Sequence, residues 1–216
     1  MKRAIVIGNS PSVLEYEYGK FIDEYFDIVL RCNWYQINGY EKYVGTKTNI
    51  WFTRLSKTFV DAYKHPNKFH KLDNSVYDVD EYWLRVGSTF KGETDEFKRD
   101  MPNTVLRVKG HDIFLKNFDV NRITKAIPSN TMCIGLQLIQ TASKVFDEVW
   151  SFGNTFHMEN LPKGKLGRYH YYDLDSNTSI LDEKNFRKHN YTKEMEILKG
   201  LNVNILEYKN GVEDLL

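Results

Sequence analysis

Cysteine is scarce in this chain: 216 residues hold two, Cys32 and Cys133, far apart. Two such thiols build no disulfide framework, and neither has a partner at metal-ligand spacing. A reduced, cytoplasmic chain is therefore expected. Long apolar runs are also missing. No stretch approaches the ~20 residues of a membrane-spanning helix, so no transmembrane segment is expected. The opening Ala4-Ile5-Val6-Ile7 is too short for a secretory signal and reads as a strand. An excess of either charge is absent as well: 30 Lys and Arg face 29 Asp and Glu, a net +1. That balance gives no field favouring nucleic acid or an anionic membrane. Repeats, linkers and low-complexity tracts are lacking, and the length suits one domain spanning 1–216. Aromatics are plentiful, at 14% with 14 Tyr and 13 Phe. Such rings can stack on sugars and bases, though they fill cores more often.

Ala4 to Ile7, Asp27 to Asn33 and Thr48 to Thr53 are short, largely apolar runs rich in β-branched or aromatic residues. Each has polar residues at its end, as buried strands of a parallel sheet do. Thr104–Val108, Val149–Gly153 and Asn202–Leu206 read as further strands. A helical repeat through Met132, Gly135, Leu136 and Ile139 precedes the second of these. Pro11 and Ser12 can open a helix, and Thr192 can cap one with Glu194 in its first turn. Helices alternating with strands predict an α/β fold, a mostly parallel sheet flanked by helices. Residues 54–103 show no clear pattern beyond charge and aromatics, and a Gly/Lys-rich loop occupies 161–169.

In such sheets ligands settle beyond the carboxyl ends of the strands. Gly8-Asn9-Ser10 and Asn33 stand at two of those ends. Neither a Gly-x-Gly-x-x-Gly fingerprint nor a P-loop follows. Asn9 suits a directed hydrogen bond to a ligand and equally an ordinary turn. Ser129, Asn130 and Thr131, before a helix, offer hydroxyls and free N–H groups to an anion, and equally suit simple capping. His189 precedes a helix whose positive end disfavours imidazolium and keeps a proton acceptor neutral. His170 lies in an aromatic cluster from which it can donate to a phosphate. Either histidine alone also fits a surface or packing role.

Taken in order, these pieces resemble the four sialyl motifs of the animal-type sialyltransferases. The large motif matches Ile5 to Ser10, Tyr18 to Asp23, Asp27 to Asn33 and Gly39 to Thr48. The small motif matches Pro128-Ser129 through Asp147-Glu148-Val149 to Phe152-Gly153. The third is His170-Tyr171-Tyr172-Asp173, and the very small one is His189 with Glu194. The small bacterial sialyltransferases are similar too. Matched segments cover about half of the chain, and residues 54–120 match nothing. Ala4 and Phe146 stand where the animal family has a cysteine pair, so that disulfide is impossible here. Asn130 and Thr131 replace a Gly after Ser129. With no anchor or stem in the sequence, a compact, soluble microbial or viral form is expected.

The resemblance implies a Rossmann-like, GT-A-like sialyltransferase variant that inverts configuration in one displacement. CMP-sialic acid is the implied donor, and an oligosaccharide, lipid-linked or cell-surface glycan the acceptor. His189 is the implied general base, and His170 donates to the leaving phosphate with Tyr171 or Tyr172. Gly8, Asn9, Ser10, Asn33, Ser129, Asn130, Thr131, Gly153 and Asn154 form the implied CMP and donor site, with Glu194 in support. No cofactor and no metal is expected, since donors to the phosphate suffice for CMP to leave. Alternatives are a CMP-Kdo or other nonulosonic acid transferase, a pyrophosphate-transferring enzyme, and a non-catalytic CMP-binding module.

Overall fold

Seven strands form one sheet in the order β5-β4-β3-β2-β1-β6-β7 in a computed structural model. It describes residues 1–54, 73–85, 105–109, 133–154, 170–172 and 191–206. The strands are β1 (Arg3–Ile7), β2 (Ile28–Cys32), β3 (Ile50–Arg54), β4 (Glu81–Arg85), β5 (Val105–Lys109), β6 (Glu148–Phe152) and β7 (Asn204–Ile205). Neighbours run parallel except β4 and β5, which pair antiparallel at one edge. The mostly parallel α/β sheet expected from the apolar runs is present. β4 lies in the stretch whose pattern gave no prediction. Its alternation of charged ends with Tyr82, Trp83 and Leu84 is too short to stand out among aromatic neighbours.

The helices are α1 (Gly19–Tyr25), α2 (Glu41–Val44), α3 (Ile134–Ala142) and α4 (Tyr191–Lys199). Side-chain alternation along β1 sorts them into two layers. Ala4 and Val6 pack with Leu136, Ile139 and Ala142 of α3 and Leu198 of α4. Ile5 and Ile7 face the other way, against Phe21 and Ile22 of α1, Val44 of α2 and Tyr171. Burial on both faces explains why β1 and β2 are apolar without interruption. Trp51, Trp83 and Trp150 are each among the fully buried side chains. Fully burying side chains such as Ile5, Val6 and Phe152 contributes about 1.5–3 kcal/mol each.

Local structure departs from expectation in three places. Pro11–Glu15 forms a single 3-10 turn, capped by Ser10, because Tyr16 is already extended. α3 starts at Ile134 with Cys133 as its N-cap, and residues 128–132 lie outside the described residues. Thr192 falls inside α4, which begins one residue earlier. No helix among the described residues is long and apolar enough to cross a membrane.

Candidate active site

The chain moves outward from β1 to β2, β3 and β4 on one side, and to β6 and β7 on the other. The carboxyl ends of β1 and β6 therefore flank the crevice where an open α/β sheet binds its ligand. Two backbone bonds close the floor of that crevice. Gly8 N–H donates to Phe152 O at 2.7 Å, and Ser10 N–H to Gly153 O at 3.0 Å. A Cβ on Gly8 would collide with the Gly153 carbonyl and the Asn154 side chain. Gly153 itself has φ +67, a left-handed conformation that suits glycine. Asn154 turns inward: its Nδ2 donates to Val6 O and Ser151 Oγ, both at 3.1 Å, and to Phe152 O at 3.2 Å. Here that amide ties β1 to β6.

Asn9 and Asn33 stand over this floor. Asn9 Nδ2 donates to Trp34 O at 2.7 Å and Cys32 O at 3.4 Å, joining the first turn to the end of β2. Asn33 is left-handed at φ 53, a conformation asparagine tolerates better than most residues. Its N–H donates to Phe52 O, and its carbonyl accepts from Trp51 Nε1 at 2.8 Å. Ser10 is buried and caps the 3-10 turn through its Oγ, which accepts from Ser12 N–H at 3.4 Å.

Beneath the β2 end, Arg31 is fully buried. Its guanidinium donates to Val44 O at 2.6 Å, Lys47 O at 3.0 Å and Thr48 Oγ1 at 2.9 Å. Burial pulls its pKa down, and the nearby Tyr171, Tyr35, Asp23 and Asp73 act in the opposite direction. Asp73 in turn binds Ile37 N–H at 2.7 Å and Ser75 N–H at 2.9 Å, holding the loop after β2. Neither Arg31 nor Asp73 was proposed from sequence as part of the site framework. The arginine inside an apolar strand was the available signal, since a cation there needs several acceptors.

The third motif reaches the same crevice. Tyr171 N–H donates to Asn9 O at 3.0 Å. The Tyr171 hydroxyl is engaged with the backbone N–H and carbonyl of Gln36. Burial raises that phenol to about 12. Tyr172 donates its hydroxyl to Trp34 O at 2.8 Å, and His170 stacks on the Tyr172 ring. The two tyrosine hydroxyls thus grip the loop after β2, while His170 is partly exposed.

Glu194 sits in the first turn of α4, as its sequence position suggests, but its carboxylate serves a different helix. The side chain, 5% exposed, reaches from α4 to α3, where Oε1 accepts from Cys133 N–H at 3.0 Å. The Cys133 thiol lies well above its usual range, through burial first and the Glu194 charge second. Cys32 is raised to about 12 by burial, and both cysteines are free.

His189, Ser129, Asn130 and Thr131 lie outside the described residues. The described residues bring together Gly8, Asn9, Ser10, Asn33, Gly153, Asn154, His170, Tyr171 and Tyr172. No group of three His, Cys, Asp or Glu among them is arranged to hold a metal ion. Two Asp-x-Asp triplets, a pattern of metal-binding carboxylates, occur in the sequence: Asp78-Val79-Asp80 and Asp173-Leu174-Asp175. The first precedes β4, at the amino end of the parallel strands and away from the crevice. Asp80 accepts there from Asn49 Nδ2 at 2.9 Å. The second lies outside the described residues.

Residues 1–204 match the family model of glycosyltransferase family 29, the sialyltransferases. The chain belongs to that family. As a member of family 29 it is a glycosyltransferase. Two crystal structures of a mammalian sialyltransferase share the fold at TM-score 0.50. They are 18% and 19% identical, with 96% of this chain and 70% of theirs covered. The former was solved with Gal-beta-1-3GalNAc-ortho-nitrophenol. The family 29 match spans the first turn, the His170 segment and α4, the pieces that the fold gathers or places beside α3.

Proposed function

We propose that this sialyltransferase-family chain moves sialic acid from CMP-sialic acid to a glycan hydroxyl by one inverting displacement, without a metal. The observation that carries the reading is the convergence of Asn9, Asn33 and His170 on the β1–β6 crevice. In this reading Asn9 and Asn33 contact the nucleotide, and Gly8 and Gly153 leave the backbone bare for close approach. His170 donates to the phosphate as CMP departs, so charge is met where it develops. Ser129, Asn130 and Thr131 lead toward the start of α3 and add donors to the phosphate or the donor carboxylate.

His189 takes the proton of the acceptor hydroxyl, a role that typically contributes ~10²–10⁴-fold to rate. In the sequence it comes two residues before Tyr191, the first residue of α4. Glu194 supports it by holding α4 against α3.

Titration with CMP, CDP, UDP, GDP and NAD in EDTA tests the nucleotide site. Selective binding of CMP, followed by transfer or hydrolysis of CMP-sialic acid in EDTA, is the expected result. Preference for another nucleotide, or strict metal dependence, would overturn the reading. His189→Ala should remove ~10²-fold or more of the turnover while CMP affinity stays near the parent value. Normal turnover in that variant would dismiss His189 as the base.

A further inference from the structure

The His170 imidazole lies parallel to the Tyr172 ring, with centroids 5.0 Å and planes 5° apart. At that separation two rings stack with an offset, which is a favourable arrangement. Tyr172 is itself fixed. Its ring meets Tyr171 edge-on at 5.0 Å, and it is 8% exposed. Its hydroxyl donates to Trp34 O at 2.8 Å, the same carbonyl that accepts from Asn9 Nδ2 at 2.7 Å. A single backbone oxygen thereby joins the ring under His170 to the first turn.

We propose that Tyr172 is a positioning residue for His170: its ring sets the plane of the imidazole, and its hydroxyl locks that plane to Asn9 through the Trp34 carbonyl. The inference rests on the role proposed for His170 and deepens it. A partly exposed histidine has free choice of side-chain rotamer unless a neighbour removes it. Displacing a positioned group by about 1 Å can lower a rate ~10²-fold, so a fixed platform has kinetic weight. The hydroxyl adds what a phenylalanine cannot, a register between His170 and the turn proposed to carry the nucleotide.

The test uses Tyr172→Leu, Tyr172→Phe, His170→Ala and the double variant Tyr172→Leu/His170→Ala. NMR of the His170 ring protons reads the platform without any need for turnover. The parent and Tyr172→Phe should show the upfield displacement that a stacked aromatic ring imposes, and Tyr172→Leu should lose it. In CMP-sialic acid turnover, Tyr172→Leu should lower kcat about tenfold, with donor KM within about twofold. Tyr172→Phe should fall between the two. On a His170→Ala background the leucine substitution should change kcat by less than about twofold, since the group it positions is gone.

Full additivity of the two losses, or unchanged ring-proton shifts in Tyr172→Leu, would overturn the proposal. Because Tyr172→Phe keeps the buried ring, its shifts remain readable should the leucine variant fold poorly. Absence of turnover in the parent would instead refute the sialyltransferase reading, and the ring-proton shifts would still decide whether Tyr172 sets the imidazole.

Discussion

Gly8 shows how a single position can be dictated by the fold around it. Its N–H is bonded to Phe152 O, and the space where a Cβ would stand is filled by the Gly153 carbonyl and Asn154. Backbone does not yield as a flexible side chain does, so Gly8→Ala must part β1 from β6. We expect a loss of about 1–3 kcal/mol, as for overpacked cores, measured by urea unfolding. A variant as stable as the parent would show that the crevice floor is not so tightly closed. Asn9 and Asn154 illustrate the limit of reading residues singly. Both are asparagines after a buried strand, yet Asn9 bridges to the β2 end and Asn154 turns into the sheet. No local pattern separates the two, because each is oriented by carbonyls from distant strands.

Glu194 makes the same point for helices. Its place in the first turn of α4 matches the usual preference for acidic residues there. The buried carboxylate nevertheless serves the amino end of α3, through Cys133 N–H. Glu194→Ala should leave that buried donor unsatisfied, at a cost of about 1–3 kcal/mol. Glu194→Gln retains an acceptor and should lose distinctly less in the same chemical denaturation series. Equal losses would mean that the contact contributes through packing alone. α3 itself was legible from the spacing of Gly135, Leu136 and Ile139, whereas its start was not. The N-cap is fixed by Cys133 Sγ and a carboxylate from α4, neither of which follows from a helical period.

The loop after β2 connects these pieces, and its acid sensitivity reports on the assembly. Burial alone would raise the Asp73 carboxyl, but N–H groups of Ile37, Ser75 and Asn38, with the Ser75 hydroxyl, outweigh it and hold it below its ordinary 3.8. A carboxyl depressed in the folded state stabilises that state above its unfolded pKa. The contribution is lost as pH falls through the folded value. The stability gap between the parent and Asp73→Asn should therefore be widest near neutrality and shrink below about pH 4. Urea midpoints at pH 7, 5 and 3 would measure it, and a gap independent of pH would exclude the ionised carboxylate as its source.

Every strand but β4, the α/β class and the family were readable along the chain, because a buried strand or an ordered set of motifs is a local pattern. The edge strand β5 was legible as a strand too, although its antiparallel direction was not, since direction depends on the path between elements. Tertiary structure alone decided that Ser10 caps a turn, that Asn154 faces inward, and that Tyr171 and Tyr172 grip the loop after β2. It also made Asp73 a clamp on that loop and Arg31 a clamp on Val44, Lys47 and Thr48 before β3. Each of these choices is a hydrogen bond satisfied in a buried place. The partner that satisfies it is set by which strands and loops the fold brings together, often more than a hundred residues apart, as Tyr172 and Trp34 are.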